Sequence, residues 1–218
     1  MKIEIISFSA QGKDDVALSI ELRDGENCER RRLVLPSFLC ADMQLCRGEC
    51  TPELFDRLLH EEQVYSAYKR GVYIVGFGIS SQRMLASKLI SKGFERAIAE
   101  EAVARIAAKG FLCEGDNAMH EAQRCAAKLW GQARIRAHLG SRGYSSDAID
   151  AAMFSLEDSG VDFDVNCRRL IESKCKNLPS DRIERQKLVA SVARYGYSIG
   201  QIKTAMAKIA AKKQSIYD

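Results

Sequence analysis

Three stretches of the chain share one hydrophobic register. Each opens with a glycine and an aromatic residue, then seven residues, an Ala–Val or Ala–Met pair, two residues, and Ile or Leu. The copies begin at Gly93-Phe94, Gly143-Tyr144 and Gly196-Tyr197, a period of roughly 50 residues that marks an internal repeat. After the corner, apolar positions recur at i, i+3, i+4 and i+7, as in Ile149, Ala152, Met153 and Leu156 or Ile202, Ala205, Met206 and Ile209. That spacing lines one face of an α-helix. Before each glycine an i, i+4 pair (Leu85 and Leu89, Ile135 and Leu139, Leu188 and Val192) forms a second helical face. The glycine stands where a helix end needs a left-handed residue. Ser145, Ser146 or Asp147, and Ser198, are available as caps of the following helix. Two short amphipathic helices cannot bury their faces alone, so a third helix is expected before each pair.

The first fifty residues follow a different rule. Lys2–Phe8 and Val16–Leu22 alternate polar with apolar residues, Asp24-Gly25 signals a turn, and Glu29–Leu35 is a third strand candidate. Pro36 interrupts this pattern, Ser37–Leu45 reads as one helical segment, and Arg47–Cys50 as a loop. Thr51-Pro52-Glu53 opens a helix: Thr51 caps it, Pro52 suits its first turn, and Glu53 faces its positive end. Gly71 and the β-branched Val72, Ile74 and Val75 weaken that helix after Lys69, and Gly76-Phe77-Gly78 closes it. Ser80 is the expected cap of the next helix, and the third runs over Glu95–Ala108. Further helices are expected over Glu114–Leu129, Gln132–Arg142, Ser146–Asp158, Asp164–Lys176, Asp181–Arg194 and Ile199–Lys213, with a frayed tail from Lys212. The fold class is thus mainly α: three tandem three-helix repeats in an elongated array, preceded by a small antiparallel β extension. The boundaries are 1–50 for the extension and 51–110, 111–160 and 161–218 for the repeats.

Composition sharpens this picture. With 46% hydrophobic and 28% charged residues, the chain is globular, and its three prolines suit a helical protein. The net charge of +4 is uneven. Residues 1–78 are slightly acidic, whereas the remainder carries 23 Lys and Arg against 16 Asp and Glu. A basic repeat half favours an anionic partner, nucleic acid or an acidic protein face. No apolar run is long enough for a membrane span, and Glu4 interrupts any leader-like segment. A cytoplasmic monomer is expected. The eight cysteines include no Cys-x-x-Cys pair, and Cys40, Cys46 and Cys50 are irregularly spaced with His60 the nearest histidine. Reduced, metal-free thiols used as small core residues are expected. His60, His120 and His138 lack a nucleophile context, a pairing of Cys125 with His120 or His138 is unsupported by spacing, and no phosphate loop occurs. No catalytic role and no cofactor are expected.

Two motifs are more specific: Gly110-Phe111-Leu112-Cys113-Glu114, and Lys128-Leu129-Trp130-Gly131 followed by Arg134-Ile135, Leu139 and Arg142-Gly143. With them the chain resembles the RecX family of bacterial recombination regulators over roughly residues 33–213, and its leading sheet is similar to the extension of longer members. Cys113, Asn117-Ala118 and Ile79 depart from the family's usual residues. The resemblance implies a non-enzymatic regulator. Such proteins bind the RecA recombinase–DNA filament, lie in its groove or stop its growth, and inhibit its ATPase and strand exchange in recombination, DNA repair and the SOS response. Stacked small bundles suit a long groove.

Candidate contacts to RecA, or to single- or double-stranded DNA, are Lys128, Arg134, Arg136 and Arg142 in repeat 2 and Arg168, Arg169, Arg182, Arg185 and Arg194 in repeat 3. Arginine clamps carboxylate or phosphate through two parallel hydrogen bonds. The alternative for each is a solubilising surface residue with a buried stem. Trp130, the sole tryptophan, is expected to pack in the core rather than stack on a base. Two other protein classes fit three-helix units: a helix-turn-helix DNA-binding protein and a generic helical-repeat adaptor. Asp147, Asp150, Glu157 and Asp158 make the third helix of repeat 2 a poor recognition helix. Gln201, Lys203, Lys208, Lys212 and Lys213 make that of repeat 3 a better one.

Overall fold

The alternation in the first fifty residues builds a sheet longer than it predicts. The computed structural model describes residues 2–78, 81–175 and 177–214. Strands β1 (Lys2–Gln11), β2 (Asp15–Asp24), β3 (Asn27–Pro36) and β4 (Gly48–Glu49) form an antiparallel sheet in the order β3-β2-β1-β4. Register places Ile3 opposite Leu22, Ile5 opposite Ile20 and Leu18 opposite Leu33, so the apolar side chains share one face. β4 lies in the stretch expected to be a loop. The edge of β1 recruits it, with the Cys50 amide donating to the Ile3 carbonyl at 2.8 Å. Pro36 does end β3, and helix α1 (Ser37–Asp42) follows, shorter than expected.

Helix α2 (Pro52–Gly76) opens as predicted, with the Thr51 hydroxyl accepting the Leu54 amide at 3.2 Å. It does not weaken after Lys69. Gly71 is why: a Cβ there would lie 2.4 Å from Ile106 Cδ1, so the glycine lets α2 close on α4 (Arg96–Ala108). Packing overrides the poor helix propensity of Gly and β-branched residues. The buried faces of Phe55 and Leu58 on α2 cover the sheet, while Val64 and Ala67 pack with α3 (Gln82–Ser91) and α4. Ser80, the expected cap of α3, lies outside the described residues; Ser81 accepts the Met84 amide at 3.2 Å instead.

The remaining helices are α5 (Glu114–Ala127), α6 (Gln132–Ser141), α7 (Ser146–Asp158), α8 (Phe163–Lys174), α9 (Arg182–Ala193) and α10 (Ile199–Gln214). Three trios can be followed, and in each the first and third helices pack face to face. Gly93, Gly143 and Gly196 occupy the corner between second and third helices with φ of +95°, +79° and +92°. Ser145 and Ser198 cap as expected, and Asp181 caps α9. The frayed tail expected from Lys212 falls largely on residues 215–218, outside the described residues; α10 itself continues past Lys212 to Gln214.

Contacts divide the chain into two compact units. One comprises residues 1–78 and 85–112, the other 79–84 and 113–218. Within the second unit, α5 to α10 share one continuous core running from Ala118 to Ile209. Among the described residues no helix is long and apolar enough to cross a membrane.

Cys40, Cys50, Cys125 and Cys167 are buried, and Cys28, Cys46 and Cys113 are exposed. Burial pushes the Cys167 thiol up to about 11 and raises those of Cys40, Cys50 and Cys125. The thiolate is the reactive form. An aromatic disulfide reagent should therefore modify Cys28, Cys46 and Cys113 in the native protein, and the four buried thiols only after unfolding. Peptide mass mapping of the labelled chain checks this order.

Candidate functional site

The corner between α5 and α6 is tied to the corner between α9 and α10. Lys128, Leu129, Trp130 and Gly131 make the first turn, with Leu129 held at φ +58°, a conformation non-glycine residues rarely adopt. The Leu129 carbonyl accepts the hydroxyl of buried Tyr197 at 3.1 Å. The Gly131 amide donates to the Tyr195 carbonyl at 2.7 Å, and the Arg134 guanidinium to the Arg194 carbonyl at 3.3 Å. Here the backbones touch. A Cβ on Gly131 would lie 2.5 Å from the Gly196 oxygen, and one on Gly196 2.5 Å from the Arg134 amide nitrogen.

This junction lays out a ladder of alternating cations and rings. Lys128 Nζ lies 5.8 Å from the Trp130 ring centre. The Arg134 guanidinium carbon is 3.9 Å from the Trp130 ring centre and 5.1 Å from that of Tyr195. Lys174 Nζ lies 4.8 Å from the Tyr195 centre. Trp130, Arg134 and Tyr195 are half-buried, and both lysines are exposed. Among the described residues none of the three cations is paired with a carboxylate. The rings face them with their quadrupoles, and Arg134 also holds the Arg194 carbonyl; such contacts orient a cation without neutralising it. Such a surface attracts phosphate or carboxylate and offers flat π-faces beside them.

A second cluster, on α5 and α6, behaves in the opposite way. Glu121 is buried, and its carboxylate meets His138 Nε2 at 2.8 Å, Arg124, and Arg142 at 3.6 Å. Burial alone would raise its pKa; the His138 hydrogen bond and the two guanidiniums outweigh it and hold the carboxyl below its ordinary range. The ligand atoms of Glu121, Cys125 and His138 lie within 4.8 Å of one another. Two arginines already supply the positive charge there, and the buried Cys125 thiol is pushed up and kept protonated. The cluster is therefore built as an ion-pair network, and Cys125 has no activated nucleophile character.

Comparison with known proteins now places the chain. No family model matches it. The regulatory protein RecX of Xanthomonas campestris pv. campestris (strain B100) is 32% identical over 126 residues, covering 57% of this chain and 76% of the relative. RecX of Stenotrophomonas maltophilia (strain R551-3) matches equally, at 32% over 126 residues, 57% of this chain and 76% of the relative. The chain belongs to the RecX family. A crystal structure of regulatory protein RecX superposes with a TM-score of 0.71 at 18% identity, covering 93% of this chain and 99% of the other. RecX from Lactobacillus salivarius gives 0.59 at 14%, covering 68% and 97%. At these identities the two structures speak for the fold.

In this RecX-family chain the expected contact residues separate. Lys128 and Arg134 form the ladder, joined by the backbone of Arg194. Arg136 is spent on an ion pair with Asp150, and Arg142 on Glu121. Arg168 is half-buried with its Nε lacking a hydrogen-bond partner among the described residues, and Arg169 is exposed beside Leu129 and Asp162. Arg182 and Arg185 line a groove between α9 and α10. Trp130 does pack against the core, as expected, yet its other aspect lies under Arg134. Lys174 and Tyr195 escaped sequence reasoning. Tyr195 had one signal, the Tyr195-Gly196-Tyr197 run, which flanks the corner with two rings; Lys174 had none.

The RecX-family ion-pair network makes a stability prediction. Glu121 has a depressed folded pKa, so its contribution is present above its unfolded value near 4.5 and is lost as pH falls through the folded value. Glu121→Gln should cost about 2 kcal/mol at pH 7, and the gap to the parent should close at acid pH. Urea unfolding of both proteins across this range measures it.

Proposed function

We propose that this RecX-family protein binds the RecA recombinase–DNA filament and inhibits its ATPase and strand exchange without itself catalysing a reaction. The observation that carries the reading is the ladder of Lys128, Trp130, Arg134, Tyr195 and Lys174 at the junction of two repeats: three cations without carboxylate partners among the described residues. A filament of protein on nucleic acid presents phosphates and acidic side chains along a groove, and a fixed cationic ridge is complementary to both. That the relatives are regulatory proteins agrees with a modulating rather than a catalytic role.

The test is the ATPase rate of RecA assembled on single-stranded DNA, with and without this protein, at two salt concentrations. Inhibition is expected at low salt and should need more protein at high salt, because exposed charges are screened. An unchanged rate together with sequence-preferring duplex binding would replace this reading with the helix-turn-helix one.

A further inference from the structure

Repeat 3 carries a groove between its second and third helices, where repeat 2 has side-chain bridges. In repeat 2, helices α6 and α7 are bridged by the Arg136–Asp150 ion pair and by Gln132 Nε2 donating to Glu157 at 2.8 Å. The same register positions in repeat 3 hold Val189 and Lys203, and Arg185 and Ala210. Neither pair can bridge. A cavity of about 700 Å³ opens instead between α9 and α10. Its floor is Val189, Ala190, Ala193, Met206, Ala207 and Ala210, and Ile199 at its end is 59% exposed. The rim carries Arg182, Arg185 and Lys203, none paired with a carboxylate among the described residues.

We infer that this groove docks an amphipathic helix of a partner protein, with an apolar stripe on the floor and acidic residues against the rim. Floor shape and rim charge both argue for it. The floor is dominated by alanine, so it admits bulky side chains from outside and a close helix approach. It runs along α9, whose 12 residues span about 18 Å, the length of roughly three helical turns. That length matches apolar anchors at i, i+3, i+4 and i+7, the usual pattern of a helix laid in a groove. Three rim cations with no carboxylate partner among the described residues select carboxylates and repel a basic helix. The inference stands apart from the filament reading, since it rests on a different surface and on no property of RecA.

Two fluorescent helical peptides of about 15 residues, with the same leucine stripe flanked by Glu in one and Lys in the other, test it by anisotropy against the full chain. The Glu peptide should bind at least about tenfold tighter than the Lys peptide. Arg182→Glu/Arg185→Glu should invert that preference, and Ala207→Glu, at an exposed floor position, should weaken the Glu peptide by about tenfold. Circular dichroism confirms that each variant is folded. Equal binding of both peptides, binding of neither, or a preference unmoved by the double reversal would overturn the inference. Displacement of the Glu peptide by a single-stranded oligonucleotide would assign the rim to nucleic acid. Concentration-dependent dimerisation abolished by Ala207→Glu would assign it to a second copy; either result overturns the proposal. Because the readout is peptide binding rather than RecA's ATPase, failure here leaves the filament reading standing.

Discussion

Gly196→Ala should destabilise the protein by about 2–5 kcal/mol, whereas Gly93→Ala should cost only about 1–2 kcal/mol. The two glycines are equivalent in the repeat and nearly identical in conformation, with φ of +92° and +95°. The conformational penalty for placing an L-residue there is therefore shared, about 1–2 kcal/mol. The surroundings differ. A Cβ at Gly93 meets nothing within 4 Å, while one at Gly196 strikes the Arg134 backbone nitrogen and Cβ, both at 2.5 Å. Backbone cannot swing aside as a side-chain tip can, so overpacking adds its own cost, about 1–3 kcal/mol. Gly143 falls between them, with Arg83 Cβ at 3.1 Å and Ser81 Oγ at 3.2 Å from its would-be Cβ. Gly131→Ala tests the steric term alone, because Gly131 has an ordinary φ of −81° yet sits 2.5 Å from the Gly196 oxygen. Denaturant unfolding of the four variants should rank Gly196 as most costly and Gly93 as least. Equal costs at Gly93 and Gly196 would mean that the Gly196 corner is not in backbone contact with the Gly131–Arg134 turn.

This contrast shows where reading from sequence stops. The glycine–aromatic register predicts the corners because local chemistry, the left-handed turn and the apolar i+4 pairs, determines them. What a corner touches depends on partners tens of residues away, such as Gly131 on Gly196, and leaves no periodic trace. Helix α2 runs through Gly71 for the same reason: Ile106 on another helix supplies the contact that propensity does not. The site was legible in half. Lys128 and Arg134 stand beside Trp130 in sequence, but Tyr195 and Lys174 reach the ladder only through packing of repeat 3 on repeat 2. Arg142 reads as a surface cation, since nothing local reveals that Glu121 on the preceding helix is buried beneath it.

That placement of Arg142 determines how the functional face is probed. Reversing its charge would set a carboxylate against buried Glu121 and perturb the fold. Reversing Arg134 would disturb the Gly131–Gly196 junction, where its guanidinium holds the Arg194 carbonyl. Lys128 and Lys174 are exposed and lack carboxylate partners among the described residues, so Lys128→Glu/Lys174→Glu changes the field of the ladder with little effect on stability. Two reversed charges facing an anionic groove convert attraction into repulsion, a change of several kcal/mol at an interface. The concentration needed for half-inhibition should rise by at least about tenfold, since each tenfold corresponds to about 1.4 kcal/mol.

The decisive measurement is therefore the ATPase rate of RecA on single-stranded DNA, titrated with the parent and with the Lys128→Glu/Lys174→Glu protein, both verified as folded by circular dichroism. The account predicts that the parent suppresses the rate and that the variant needs at least about ten times the concentration to do so. A folded variant that inhibits as well as the parent would contradict it.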